Sequence, residues 1–214
     1  MFTGDEHADG GPFITQALKQ HQVKASFFFT GRFYRNKAFK KKIQQLKKQG
    51  HYMGAHSDAH LLYCDWKKRD SLLVTQNEFN DDLLKNYAAM RSFGIAKTQA
   101  PLFPPPYEWY NDTIAAWTKT AGLQLINFTP GTLSHADYTT PDAANYRSSA
   151  TIWNSIENFE AKAPNGLNGF ILLLHIGTDP KRTDKFYKHL PTLLQWLKSK
   201  DYQLLRVDEL VSAR

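Results

Sequence analysis

One cysteine in 214 residues, Cys64, has no partner for an intrachain disulfide, so the fold must rest on its own core. Long apolar runs are also missing. Phe170–Leu174 is typical, far short of the roughly 20 residues a bilayer span needs. No charged segment followed by an apolar one opens the chain, so a signal-peptide pattern is absent. Instead Met1-Phe2-Thr3 runs at once into Gly4-Asp5-Glu6-His7-Ala8-Asp9-Gly10-Gly11. That reads as a strand cut near its C-terminal end, and upstream residues, an export signal among them, are expected in the natural protein. Acidic residues are in deficit, 20 against 27 basic, for a formal charge of +7. Much of the excess lies in Arg35–Lys48, where Ile43 and Leu46 sit three residues apart. One face there should be buried and the lysines solvated, which displaces the alternative of a nucleic-acid or acidic-glycan patch.

What is present is globular: 42% hydrophobic against 22% charged residues. Strand-like and helix-like segments alternate. Phe2-Thr3, Val23–Phe29, His51–Ala55, Thr98–Phe103, Leu123–Phe128, Phe170–Leu174 and Gln203–Val207 read as seven strands. Helical spacing occupies Lys37–Gln49, Gln76–Phe93, Asn111–Ala121, Ile152–Ala163, Asp184–Ser199 and a short terminal segment. Strands alternating with helices imply a parallel sheet in one α/β domain over residues 1–214, with a barrel the preferred form.

The chemistry-capable residues fall at strand C-termini, the face on which parallel α/β folds build active sites. Asp5 and Glu6 follow strand one, His56 and His60 strand three, and Tyr107 strand four. Asp137 lies in the loop after strand five, and His175 ends strand six. Histidines four apart can aim two imidazoles at one point, and a carboxylate from Asp5-Glu6 would add an oxygen ligand. Two imidazoles and a carboxylate suit Zn, Co, Ni or Fe rather than Ca or Mg, and open positions on such a site suit hydrolysis. Tyr107, Trp109 and Tyr110 share a proline-stiffened loop and could stack on sugar rings or pack as a rim. Trp66, Trp117, Trp153 and Trp196 read as core, and Cys64 as a buried thiol.

The ordered set of motifs resembles the polysaccharide deacetylases, the NodB-homology group of carbohydrate esterases. The family's Thr-Phe-Asp-Asp is matched by Thr3-Gly4-Asp5-Glu6, and its His-Ser/Thr-x-x-His by His56–His60. Its Arg-Pro-Pro-Tyr is matched by Pro104-Pro105-Pro106-Tyr107, and its Leu-x-His by Leu173-Leu174-His175. Ala25-Ser26-Phe27-Phe28 resembles its second strand. The resemblance implies a distorted (β/α)7 TIM-like barrel and metal-dependent removal of N- or O-acetyl groups from an acetylated glycan. It implies Asp5 as catalytic base, His175 as general acid, and Glu6, His56 and His60 as ligands of one divalent transition metal, Zn first among them. Leu173 would wall the acetyl methyl, and the Tyr107 N–H would hold the oxyanion.

Three departures matter. Glu6 replaces an Asp, with Asp9 and His7 as alternative ligands. Pro104 replaces the Arg that orients the base, for which Arg147 or Lys181 would have to substitute. The family's Asp-x-x-Asp-Trp is matched only by His135-Ala136-Asp137-Tyr138, in which Asp137 would orient His175. These departures keep open a catalytically impaired relative that binds metal and carbohydrate without turnover.

Overall fold

The computed structural model describes residues 1–212. In chain order the strands are β1 (Phe2–Gly4), β2 (Ser26–Phe29), β3 (Tyr52–Ala55), β4 (Leu102–Phe103), β5 (Gln124–Leu125) and β6 (Leu174–His175). The helices are α1 (Gly11–Gln20), α2 (Gly31–Arg35), α3 (Lys40–Lys48), α4 (Gln76–Arg91), α5 (Asp112–Thr120), α6 (Ser149–Lys162), α7 (Leu190–Ser199) and α8 (Val207–Ser212). The chain divides into two compact units, Phe27–Asn127 and Met1–Ser26 together with the residues from Phe128 onward.

In the Phe27–Asn127 unit, β2 and β3 lie side by side, and β4 pairs with β5 in parallel. Its core is aromatic. Phe27, Phe28, Phe29, Phe33, Phe79 and Phe103 are fully buried, with Phe29 stacked on Phe33 at 4.0 Å. The 16-residue helix α4 begins at a capping box in which Thr75 and Glu78 bond each other's backbone N–H. It ends before Gly94, whose φ of +66° lies in the left-handed region. As expected of α3, Ile43 and Leu46 are buried. Lys47 reaches across to donate to the Phe93 and Gly94 carbonyls beyond the end of α4.

In the other unit, β1 pairs with β6 in parallel, with Phe2 opposite Leu174 and Thr3 opposite His175. β6 is short because a neighbouring residue captures the backbone ahead of it. Ile171 exchanges hydrogen bonds with Thr129, so the apolar run Phe170–Leu174 forms ladder only at its end. The strand expected at Gln203–Val207 does not form among the described residues. Glu209 accepts the Arg206 N–H and the Ser26 hydroxyl accepts the Val207 N–H, so a helix start takes that place. Two helices were not anticipated. α1 carries Ile14, Ala17 and Leu18 on its buried face behind Pro12, and five-residue α2 is capped by Thr30.

Candidate active site

In the Phe27–Asn127 unit, β3 delivers His56 to a five-residue loop ending at His60. The loop is bent by left-handed backbone at Ser57 (φ 69°) and His60 (φ 56°), conformations uncommon outside glycine. It is held from two helices. Asp82 of α4 accepts the backbone N–H groups of Asp58 and Ala59, both at 3.0 Å, and the hydroxyl of buried Tyr63 at 3.0 Å. One turn later Asn86 accepts the His56 N–H at 2.9 Å and donates to the Phe29 carbonyl. From α2, Arg35 grips Asp58 with two bonds of 2.5 and 2.9 Å, while the Gly31 and Arg32 N–H groups donate to Ser57 and Asp58 carbonyls.

This framework fixes the rings. His56 is buried and its Nδ1 lies 2.9 Å from the Pro104 carbonyl. A carbonyl only accepts, so Nδ1 carries the proton and Nε2 keeps its lone pair, the tautomer a metal ligand needs. The His60 ring lies 5.1 Å from that of His56, and the Tyr107 ring 4.5 Å from His60. Tyr107 and Glu108 both take left-handed backbone, φ 60° and 55°, directly after the three prolines. Cys64 is buried as expected, and burial pushes its thiol pKa up. Trp66, expected in the core, is instead 54% exposed. Trp117 packs against Phe79, and Trp153 against Trp196.

In the other unit, Asp5 and Glu6 directly follow β1. Across the β1–β6 ladder, His175 donates its N–H to Asp137 Oδ2 at 3.0 Å and sets Nδ1 2.6 Å from Asp137 Oδ1. Asp137 is almost wholly buried, its two oxygens engaged by one residue, which locks the imidazole plane. Tyr138 packs its ring 5.0 Å from His175, and Leu173 is fully buried. His135 stacks on Phe128 at 4.6 Å with Nδ1 buried and unbonded. Burial lowers its pKa, reinforced by His175 and opposed by Asp137. After the ladder the backbones come very close. A Cβ on Gly177 would stand 2.4 Å from backbone atoms of His7 and Ala8, which only glycine allows.

Asp9, one of the alternative ligands, is engaged otherwise. It accepts from the Thr178 N–H (2.8 Å), the Tyr187 hydroxyl (2.8 Å) and the Lys185 ammonium (3.0 Å). Burial alone would raise its pKa, but these three donors outweigh it and hold the carboxyl below its ordinary value. Of the cations considered as substitutes for the family's Arg, Lys181 reaches Asp142 at 3.4 Å on an exposed loop, and Arg147 donates to the Tyr146 carbonyl. Among the described residues, no group of three or more His, Cys, Asp or Glu is arranged to hold a metal ion.

Asp82, Asn86 and Arg35 are the supporting residues that sequence reasoning missed. A signal existed for two of them. Positions 82 and 86 interrupt the buried stripe of α4 between Phe79, Leu83, Tyr87 and Met90, where a polar pair needs a partner.

Among solved structures, the chain is similar to a CE4 family pseudoenzyme from Bacillus anthracis, with 19% identity and a TM-score of 0.70 over 98% of this chain and 64% of that one. It is similar to the peptidoglycan deacetylase PdaC from Bacillus subtilis (20%, 0.69, 99% of this chain and 87% of that one). A family 4 acetyl xylan esterase from Clostridium thermocellum, in complex with a cobalt ion, matches at 19% identity and a TM-score of 0.72 (99% and 89%). These likenesses show a shared α/β fold, and the chain spans just under two thirds of the pseudoenzyme's length. No curated protein sequence matches it. A family model described as polysaccharide deacetylase matches residues 5–126, more than half of the chain, and this chain belongs to that family.

Proposed function

We propose that the protein removes N- or O-linked acetyl groups from a poly- or oligosaccharide by hydrolysis, with one divalent transition metal, and that residues 1–214 act as one catalytic domain. Family membership supports the reaction class. The observation that carries the site is the His56–His60 pair, with the Pro104 carbonyl selecting the His56 tautomer. His56 and His60 would hold the metal, with Glu6 as the carboxylate ligand; the hydrogen bonds occupying Asp9 weigh against it in that role. Bound there, such an ion supplies Lewis-acid activation of water and of the acetyl carbonyl, and Zn leads Co, Ni and Fe among metals suited to these donors.

The chain's own residues do the rest. Asp5 takes the proton of the attacking water. His175 returns a proton to the leaving amine or alcohol from Nε2, because Nδ1 faces Asp137. Asp137 orients that ring, Leu173 walls the acetyl methyl, and the Tyr107 N–H stabilises the oxyanion. The rings of Tyr107 and Trp109 take the sugar face. The Zn- or Co-loaded protein should release acetate from acetylated xylan, chito-oligosaccharide or peptidoglycan, and lose that activity in His56→Ala and Asp5→Asn. No acetate from any of these substrates would refute the reading.

A second reading is binding without turnover. Pro104 in the place of the family's Arg supports it, as does the similarity to a pseudoenzyme. It predicts glycan binding unchanged by Asp5→Asn and no acetate release.

A further inference from the structure

The chain leaves β4 through three consecutive prolines, none of which has an N–H to donate. Their carbonyls are all taken. That of Pro104 faces His56 Nδ1 at 2.9 Å, that of Pro105 accepts from Glu108 at 3.1 Å, and that of Pro106 accepts from Trp109 at 3.3 Å. The first donor after the prolines, the Tyr107 N–H, has no acceptor among the described residues. A turn that spends its other amides internally thus leaves this one for a partner from outside the fold.

The same turn is strained. Tyr107 (φ 60°, ψ 8°) and Glu108 (φ 55°) are two successive side-chain-bearing residues in left-handed backbone, a conformation that persists only where its surroundings impose it. Before them Pro105 is extended (φ −70°, ψ 151°), as the proline that follows it requires. After them Trp109 is extended again, and its Nε1–H donates to the Asp65 carbonyl. Between these two anchors the turn is gripped from the end of β5. The Ile126 N–H donates to the Phe103 carbonyl, which carries the β4–β5 pairing on to Ile126. The next residue, Asn127, donates Nδ2–H to the Glu108 carbonyl at 2.9 Å. A carbonyl only accepts, so the nitrogen end of the Asn127 amide must face it.

We propose that Asn127 is a positioning residue: by holding the Glu108 carbonyl it keeps Tyr107 and Glu108 left-handed and the Tyr107 N–H aimed at the oxyanion. This role rests on the reading of that N–H as the oxyanion donor of a deacetylase. Acetate-release kinetics of the Zn-loaded protein on acetylated xylan or chito-oligosaccharide test it. Removing an oxyanion donor outright costs about 10²–10³ in kcat. A donor left in place but no longer held should cost about 10- to 100-fold in Asn127→Ala, with KM and Zn affinity within about twofold of wild type. Asn127→Asp keeps the volume but sets an oxygen against the Glu108 carbonyl, and should lose at least as much. Glycine takes left-handed backbone without strain, so the double variant Asn127→Ala/Glu108→Gly should regain part of the lost kcat, which a packing role for Asn127 would not allow. Full activity in Asn127→Ala, a loss carried by KM or by Zn binding, or no recovery in the double variant would each overturn the role. If the wild type releases no acetate, amide hydrogen exchange decides. Faster exchange at residues 108 and 109 in Asn127→Ala, slowed again by Glu108→Gly, supports the grip on the turn while the deacetylase reading falls. Unchanged exchange removes both.

Discussion

Replacing Asp82 by alanine would remove one acceptor that serves three donors: the N–H groups of Asp58 and Ala59 and the hydroxyl of Tyr63. Ala59 is exposed and its N–H can turn to water, so it adds little to the cost. Tyr63 is fully buried and Asp58 nearly so, and their donors would stay unsatisfied. At roughly 1–3 kcal/mol for each buried orphan, with bonds to a carboxylate at the upper end, the loss is about 3–5 kcal/mol. A chain of this length shifts its melting temperature by about 2–4 °C per kcal/mol, so the variant should melt about 10 °C lower. Asp82→Asn keeps the shape and one oxygen, and should fall roughly midway. Circular dichroism melts of the three proteins provide the comparison. The imidazoles should report as well, since releasing Asp58 and Ala59 frees the loop between them, and Co or Zn affinity measured by calorimetry should fall about 10- to 100-fold. A melting point within 2 °C of wild type for Asp82→Ala would refute the argument that this carboxylate holds the loop.

Other expectations are simpler. Because the Asp9 carboxyl is held below its ordinary value in the folded protein, it contributes stability above pH 4 that is lost as pH falls through the folded-state pKa. Asp9→Asn should therefore show a shallower loss of urea midpoint below about pH 4. Cys64 should resist an aromatic disulfide reagent in the native protein and react fully in urea, because its thiol is buried and its pKa raised. Gly31→Ala would place a methyl 1.8 Å from Asp58 Oδ1 and 2.9 Å from Arg35 Nη1; it should break that ion pair and cost about 1–3 kcal/mol in a melt. Asp137→Asn should reduce acetate release about 100-fold through kcat with little change in KM, since it disturbs the ring of the proposed acid rather than the sugar contacts.

Much of this was legible in the sequence because the signals are local. The alternation of strands and helices, the buried Ile43 and Leu46, and the pairing of His56 with His60 follow from spacing alone. The pairing of Asp137 with His175 came from motif order, since 38 residues separate them. What escaped depends on tertiary competition. Phe170–Leu174 and Gln203–Val207 have the composition of strands, yet Thr129 captures the backbone of one and Glu209 with Ser26 that of the other. Trp66 reads as core from its place near a predicted helix, and only the hairpin closed by Cys64 and Leu72 turns it outward. Arg35 gave no sign of its role because its partner, Asp58, lies 23 residues away in a loop and no motif links the two.

The bonds from α4 to the His56–His60 loop also govern how that loop moves. Amides in surface loops ordinarily exchange their hydrogens with solvent quickly, through small local openings. Those of His56 and Asp58 are bonded to Asn86 and Asp82, one turn apart in the middle of a 16-residue helix. The Asp58 amide can exchange only when α4 lifts away or the Asp82 side chain lets go, and that of His56, which also donates to the Phe29 carbonyl, must leave the β2 backbone as well, so the loop should share the slow exchange of the helix. In this molecule the segment that looks most like a flexible connection opens and closes on the schedule of a helix.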